Sequence, residues 1–69
     1  MLSTAVIVAG NTGNPEYIPL LAKTLKHSYP PIRGHSAWAL AKIGSEHSRE
    51  ALSEALKNET DTQVIQEIQ

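Results

Sequence analysis

Apolar residues recur along the chain at spacings of three and four, in short segments separated by glycine, proline and polar residues. This spacing is typical of amphipathic α-helices. The segments predict helices over residues 1–11, 15–27, 32–44, about 45–58 and from 60 to the end. Gly44 is a candidate C-cap, and Asn14-Pro15 has the form of an N-cap followed by a first-turn proline. We therefore predict an all-α fold of about five helices.

Residues 32–44 are expected to form the helix around which the others pack. One side of this helix would carry Ile32, Ser36, Ala39, Leu40 and Ile43, and the opposite side Gly34, Ala37 and Ala41. The first side offers bulk, and the second permits close approach of a neighbour. A helix buried on two sides lies between two other helices, as in the middle of a helical solenoid.

The first helix is short and apolar, with Ala5, Val6, Val8 and Ala9 leaving little polar surface. The second and fourth helices each have one apolar face, which we expect to comprise Tyr17, Ile18, Leu21, Ala22 and Leu25 in the second and Ala51, Leu52, Ala55 and Leu56 in the fourth. Pro19 predicts a bend or a later start of the second helix. Thr60 and Gln63 have the spacing of a capping box for the fifth.

The chain resembles itself after a shift of 31 residues, which places Gly13 on Gly44, Leu21 on Leu52, Leu25 on Leu56 and Lys26 on Lys57. A shift of 32 residues, one more than before, aligns Ile32 with Val64. A period of this length is typical of repeats built from helix pairs. We predict a single domain over residues 1–69, a short solenoid of two repeats and a fragment, with units at about 1–27, 31–58 and 61–69.

Two sequence blocks carry a family resemblance. Pro31-Ile32-Arg33 with Ala37, Ala39, Leu40 and Gly44 is similar to the short HEAT-like repeats of phycobilisome-lyase relatives. The segment 10–15 (GNTGNP), followed by Ile18-Pro19 and by 33–40 (RGHSAWAL), resembles the C-terminal HEAT-like domain of epoxyqueuosine reductase. The resemblance covers roughly residues 5–58. It implies a tail module that helps to hold tRNA, while preceding domains reduce epoxyqueuosine with a cobalamin and iron–sulfur clusters.

The composition limits what this chain can do alone. It has no Cys, so it cannot supply thiolate ligands to an iron–sulfur cluster. Its three His residues, at positions 27, 35 and 47, do not share a helix face. We expect no metal, no cofactor and no catalytic residue here, which makes the chain a detached tail or truncated homologue. Without a membrane-length apolar segment, it is expected to be soluble and cytoplasmic.

Charge is distributed unevenly along the chain. Residues 1–44 hold four basic side chains and one acidic side chain, whereas residues 45–69 hold two basic and six acidic ones. The basic half suggests contact with RNA phosphates. The candidate RNA-contacting residues are Lys23, Lys26, Arg33, His35, Trp38 and Lys42, with His27 beside the first two. His35, Trp38 and Lys42 share one stripe of the helix predicted over 32–44, where Trp38 could stack on an unpaired base.

Each candidate also has a structural explanation. Arg33 could tie neighbouring turns together, and Trp38 could pack between repeats. The lysines could simply be the solvated face of an amphipathic helix.

The alternative function is a protein-interaction scaffold, in which exposed apolar residues at the two ends dock another domain or a second copy. These residues would be Val6 and Val8 at one end and Val64, Ile65 and Ile68 at the other. The expected partners are tRNA or the catalytic domains of a longer protein, with no DNA and no membrane.

Overall fold

The computed structural model describes residues 2–69, with side chains from Val6 onward; Met1 and the Ala5 side chain lie outside this range. The helices are α1 (Leu2–Thr12), α2 (Ile18–Thr24), α3 (Pro30–Ile43), α4 (Glu46–Asn58) and α5 (Thr62–Ile68), and a 3₁₀ turn at Pro15–Tyr17 precedes α2. The prediction of an all-α fold with five helices is confirmed. None of these helices combines the length and the apolar character needed to cross a membrane.

The helices form two layers. In the first layer α3 packs between α1 and α5, and in the second α2 packs against α4. Because α3 also contacts both helices of the second layer, it touches every other helix of the described fold. The core cluster is made of Val6, Ala9, Leu21, Leu25, Ala37, Ala39, Leu40 and Leu52. The expected central position of residues 32–44 is therefore confirmed.

The two buried sides of α3 differ from the prediction at one position. Ser36, Ala37 and Leu40 are fully buried, but Ala41 is exposed. Helix α5 lies on the side of α3 that carries Gly34, and it has seven residues against fourteen in α3. It therefore covers only the N-terminal half of α3, and Ala41 lies beyond its reach.

The start of α2 follows the prediction made from Pro19. The side chain of Asn14 accepts a hydrogen bond from the Glu16 N–H at 3.0 Å, and a single 3₁₀ turn leads into the α-helix at Ile18. Tyr17 was expected on the apolar face of this helix, but it is exposed. A 3₁₀ turn advances 120° per residue rather than 100°, so it rotates Tyr17 out of the helical register. The helix also ends earlier than expected, at Thr24.

Leu25 and Leu56 occupy equivalent positions in the two repeats but have different surroundings. Leu25 is 5% exposed because α4 packs beside α2, whereas Leu56 is 37% exposed. No described helix stands next to α4 on its other flank. The prediction that Leu56 faces inward with Leu52 is therefore wrong, and the reason is its place at the edge of the stack.

The two ends of the chain also correct the sequence-based picture. Val6 and Val64 were expected at exposed ends, yet they are 1% and 2% exposed, respectively, because both pack toward α3. Val8 is exposed as predicted. Asp61, rather than Thr60, caps α5, since its carboxylate accepts hydrogen bonds from the N–H groups of Gln63 and Val64.

Helices α1 and α3 approach each other most closely at Gly10. A Cβ atom at this position would lie 2.8 Å from Cζ3 of Trp38 and 2.9 Å from the Cα of Ala39. The backbone of α3 therefore occupies the space that a side chain would need. The sequence predicts a first helix that ends at residue 11; α1 continues to Thr12, and Gly10 within it serves helix packing.

Replacing Gly10 should therefore destabilise the fold. We expect Gly10→Ala to lower the free energy of unfolding by about 1–3 kcal/mol, the usual cost of overpacking. Gly34→Ala is the matched control, because its Cβ would find its nearest neighbours at 4.0 Å. That change should be neutral or stabilising by up to about 1 kcal/mol, since alanine favours a helix. Urea unfolding followed by Trp38 fluorescence measures both, and equal effects would contradict the close contact.

Candidate functional site

Arg33 joins two turns of the stack through its guanidinium group. Its Nε donates to Oε1 of Glu59 at 2.9 Å, and its Nη2 donates to Oε2 at 3.0 Å. Its Nη1 donates to the carbonyl oxygens of His27 and Ser28, at 2.8 and 3.2 Å. One side chain from α3 thus holds both the turn before α3 and the turn between α4 and α5. This is the structural arrangement that the sequence left open for Arg33.

Glu59 is the centre of the turn between α4 and α5. Its Oε2 also accepts hydrogen bonds from the N–H groups of Thr60 and Asp61, at 3.1 and 2.9 Å. Its side chain is 5% exposed, and that of Arg33 is 17% exposed. A paired carboxylate with this many donors organises the backbone that leads into α5. We call this arrangement of Arg33 and Glu59 the clamp.

The clamp shifts the pKa values of both Arg33 and Glu59. The hydrogen bonds from Arg33 lower the pKa of the Glu59 carboxyl; desolvation opposes this shift, and the N–H groups of Asp61 and Thr60 reinforce it. The hydrogen bond to Glu59 likewise raises the pKa of Arg33 against the effect of its own desolvation. Both groups are therefore held in their charged forms, and the positive charge of Arg33 is neutralised inside the fold.

A groove of about 780 Å³ lies beside the clamp, between α2 and α4. Its apolar lining is formed by Ala22, Leu25, Ala51 and Ala55. Lys23 of α2 and Lys26 of the turn after α2 line one side, and Glu54 and Asn58 of α4 line the other. Both lysines are exposed, and among the described residues neither forms an ion pair. Glu54, by contrast, lies 3.6 Å from Lys57.

Trp38 and Lys42 lie in the second half of α3, away from this groove. Trp38 is half-buried and packs against the core, with its ring over Gly10 of α1. The Nζ of Lys42 lies 5.7 Å from the centroid of the indole ring, within the range of a cation–π contact. Helix α1 and Lys42 thus both contact the ring that was predicted to stack on a base.

His35 is exposed and lines a different, smaller groove between α3 and α5. Its neighbours there include Asp61 and Glu67, which are acidic. The six candidate residues are therefore not brought together in one surface. Lys23, Lys26 and Arg33 lie around the turn between α2 and α3. His35 lines an acidic groove, and Trp38 and Lys42 lie toward the C-terminal end of α3.

Two residues of this region were missed by the sequence-based reasoning. Glu59 lies in a polar break between helices, where nothing in the local pattern marks it as the partner of Arg33, 26 residues earlier. Tyr29 lies in the break between the helices predicted over 15–27 and 32–44 and was not selected as a site residue, yet it is 57% exposed. An aromatic residue directly before two prolines was the available signal for the second case.

The chain does not offer the ligands that the resemblance implies for the longer enzymes. It has no Cys with which to bind an iron–sulfur cluster. Within residues 2–69, no group of three or more acidic or His side chains is placed to hold a metal ion. We derive no step of chemistry through these cofactors.

The clamp should make stability depend on pH in a defined window. Because the pKa of Glu59 is lower in the folded state, the stabilisation is complete above its unfolded value of about 4.3 and declines as the pH falls below it. Glu59→Gln should remove this dependence and lower the free energy of unfolding near neutral pH by about 2 kcal/mol. Urea midpoints measured at about pH 6 and about pH 3 test this.

Glu54→Gln is the matched control for Glu59→Gln. Its carboxylate forms an exposed ion pair with Lys57, in which both side chains are 71% exposed. An exposed pair contributes little to stability, so this variant should behave as the wild type does. An unchanged pH dependence in Glu59→Gln would contradict the assignment of the clamp.

Comparisons with known proteins place the chain in a family. The sequence matches the HEAT repeats family over residues 2–69. Over 65 residues, 93% of this chain, it is 38% identical to the epoxyqueuosine reductase of Listeria monocytogenes and 34% identical to those of Bacillus cereus and Bacillus anthracis. The chain spans only 17% of the length of these relatives. No solved structure gives a significant match. The chain belongs to the HEAT repeat family, and its sequence is homologous to part of epoxyqueuosine reductase.

Proposed function

We propose that this chain is a non-catalytic HEAT-repeat module that helps a protein of the epoxyqueuosine reductase type to bind its tRNA. The observation that carries the proposal is the pair of exposed lysines at positions 23 and 26 on one wall of the groove, which form no ion pair among the described residues. Cationic side chains on a helix and on the turn that directly follows it are suited to contact phosphates without reading sequence. The homology to reductases that are much longer than this chain supports a role as one module of a larger protein.

The clamp determines which cations are available for RNA. Arg33 is neutralised by Glu59, so we assign it the role of fixing the turns rather than binding phosphate. Lys23 lies on α2, and Lys26 lies in the turn after α2, directly before the two residues whose carbonyl groups Arg33 holds. The clamp therefore acts on RNA binding indirectly, by keeping the basic wall of the groove in place.

Lys42 is best treated as a separate, secondary contact. At 1.5 Å per residue, it lies about 14 Å along α3 from Arg33. It is exposed and lies beside Trp38. A tRNA that rests on the groove could reach it, but His35 is a weaker candidate because Asp61 and Glu67 line the same groove.

The reduction itself is assigned to other parts of a longer protein. The matched region accounts for 17% of each reductase, and the chain contains no Cys. We propose that this module contributes affinity and orientation for the substrate, without a cofactor of its own and in the cytoplasm, where tRNA is modified.

Removing the two lysines should weaken RNA binding in a salt-dependent manner. Each lost phosphate contact reduces the slope of log K against log salt by about 0.7–0.9, so Lys23→Ala with Lys26→Ala should lower it by about 1.5. Fluorescence anisotropy with labelled tRNA at several salt concentrations measures this slope. Lys57→Ala is the matched control, because Lys57 pairs with Glu54 and lies in the acidic half of the chain.

Two results would overturn the proposal. One is the absence of tRNA binding by the wild-type chain even at low salt. The other is an equal loss of slope in the double variant and in Lys57→Ala, which would indicate a general effect of net charge rather than a site on α2.

A scaffold function is a second candidate, favoured by the apolar surface of α1. This helix has no charged residue, and Ile7 and Val8 are 40% and 51% exposed. Leu20 of α2 is 42% exposed as well. A surface of this kind is suited to packing against another protein.

The scaffold function predicts that the isolated chain associates with itself through α1. Val8→Lys should abolish this association, while the free energy of unfolding changes by less than about 0.5 kcal/mol because the side chain is exposed. Sedimentation equilibrium over a range of concentrations measures the association. Leu56→Lys is the control at the opposite edge. A wild-type chain that remains monomeric at every concentration would contradict this form of the scaffold function.

A further inference from the structure

Tyr29 is the most exposed large apolar or aromatic side chain of the described fold. It is 57% exposed, whereas the core residues around α3 are nearly inaccessible to water. It lies in the turn between α2 and α3, three residues after Lys26. A side chain this exposed contributes little to the core, and its ring is accessible to a ligand.

The backbone around Tyr29 is fixed from both sides. Its N–H donates to Nδ1 of His27 at 3.0 Å, and its carbonyl oxygen accepts from the N–H groups of Ile32 and Arg33 at 3.0 and 3.3 Å. Two prolines follow it and restrict the chain further. The turn therefore presents the ring on a rigid support.

The same turn is tied to the basic wall of the groove. His27, which bonds to Tyr29, lines the groove together with Lys23 and Lys26. Arg33 donates to the carbonyl oxygens of His27 and Ser28, so the clamp holds this turn as well. An exposed aromatic ring and two cations that form no ion pair among the described residues thus belong to one fixed segment of the chain.

An aromatic ring close to cationic side chains is the combination with which proteins bind unpaired RNA. Proteins bind single-stranded RNA by stacking bases on aromatic side chains while cations contact the phosphates. Trp38 does not offer the same opportunity, because its ring packs on Gly10 and lies next to Lys42. Tyr17, the other tyrosine, lies at the opposite end of α2 from Lys26.

We propose that Tyr29 stacks on an unpaired base of RNA whose neighbouring phosphates contact Lys23 and Lys26. The site then prefers a single-stranded segment over a duplex and reads no particular base. This inference rests on the proposed function, since it names the part of the RNA that the basic wall receives.

The test compares two probes and two tyrosines. The probes are a short single-stranded RNA and the same sequence in a blunt duplex, at one salt concentration. Tyr29→Leu should weaken binding of the single strand about tenfold and leave duplex binding nearly unchanged, because the bases inside a duplex are already stacked on both faces. Tyr17→Leu is the matched control and should change neither, and Tyr29→Phe should bind as the wild type does.

The salt dependence separates stacking from charge. Tyr29→Leu removes no cation, so its slope of log K against log salt should equal that of the wild type. Circular dichroism and urea unfolding of the same samples show whether the turn remains folded, and Tyr29→Phe provides an independent check because it keeps an aromatic ring.

The outcomes distinguish the inference from the function on which it rests. If the wild-type chain binds neither probe at low salt, the proposed function fails. If RNA binds with a slope that depends on Lys23 and Lys26, but folded Tyr29→Leu binds the single strand as tightly as Tyr17→Leu does, the stacking site alone is overturned. A tenfold loss restricted to Tyr29→Leu and to the single strand supports it.

Discussion

The ion pair between Arg33 and Glu59 fixes the relation between successive turns of this small solenoid. Helix packing sets the distance between repeats, but it leaves the turns between the helices free to move. Arg33 removes that freedom by bonding to one turn through carbonyl oxygens and to the next through a carboxylate. Since each bond uses a charged donor, the contact is stronger than the neutral hydrogen bonds elsewhere in the turns.

The clamp also sets the electrostatics of the molecule. The basic half and the acidic half of the sequence do not remain separate, because a cation of the first is neutralised by an anion of the second. The positive charge left at this end of the stack is on Lys23 and Lys26, beside an apolar groove rather than on an extended basic face. A surface of this size is suited to assist binding by a larger protein, in which other contacts provide most of the affinity.

The fold could be predicted from the sequence because it depends on local patterns. Apolar spacing placed the helices, Asn14 and Gly44 marked helix boundaries, and the internal repeat indicated which helices stack. The burial of individual side chains depended on neighbours that the local pattern does not contain. Leu56 aligns with Leu25 in the internal repeat, and the position of the helix beside each decides their exposure.

The candidate site was harder to predict, for the same reason. Six residues were selected for charge or aromaticity, and the fold separates them according to their partners. Arg33 is held by a carboxylate far along the chain, and Trp38 packs on a glycine of another helix. Both partners are distant in sequence, so neither contact could be derived from spacing within one helix. Tyr29 was overlooked because a helix break was a sufficient explanation for it.

The difference between Leu25 and Leu56 also bears on the order in which the structure opens. Nearest-neighbour contacts provide most of the stability of a repeat protein, so a helix with a neighbour on one flank frays before a helix with neighbours on both. Within the described stack, α3 has neighbours on both sides and α4 has one open flank. Amide hydrogen exchange should accordingly be faster in α4 than in α3, although the two helices belong to the same repeat.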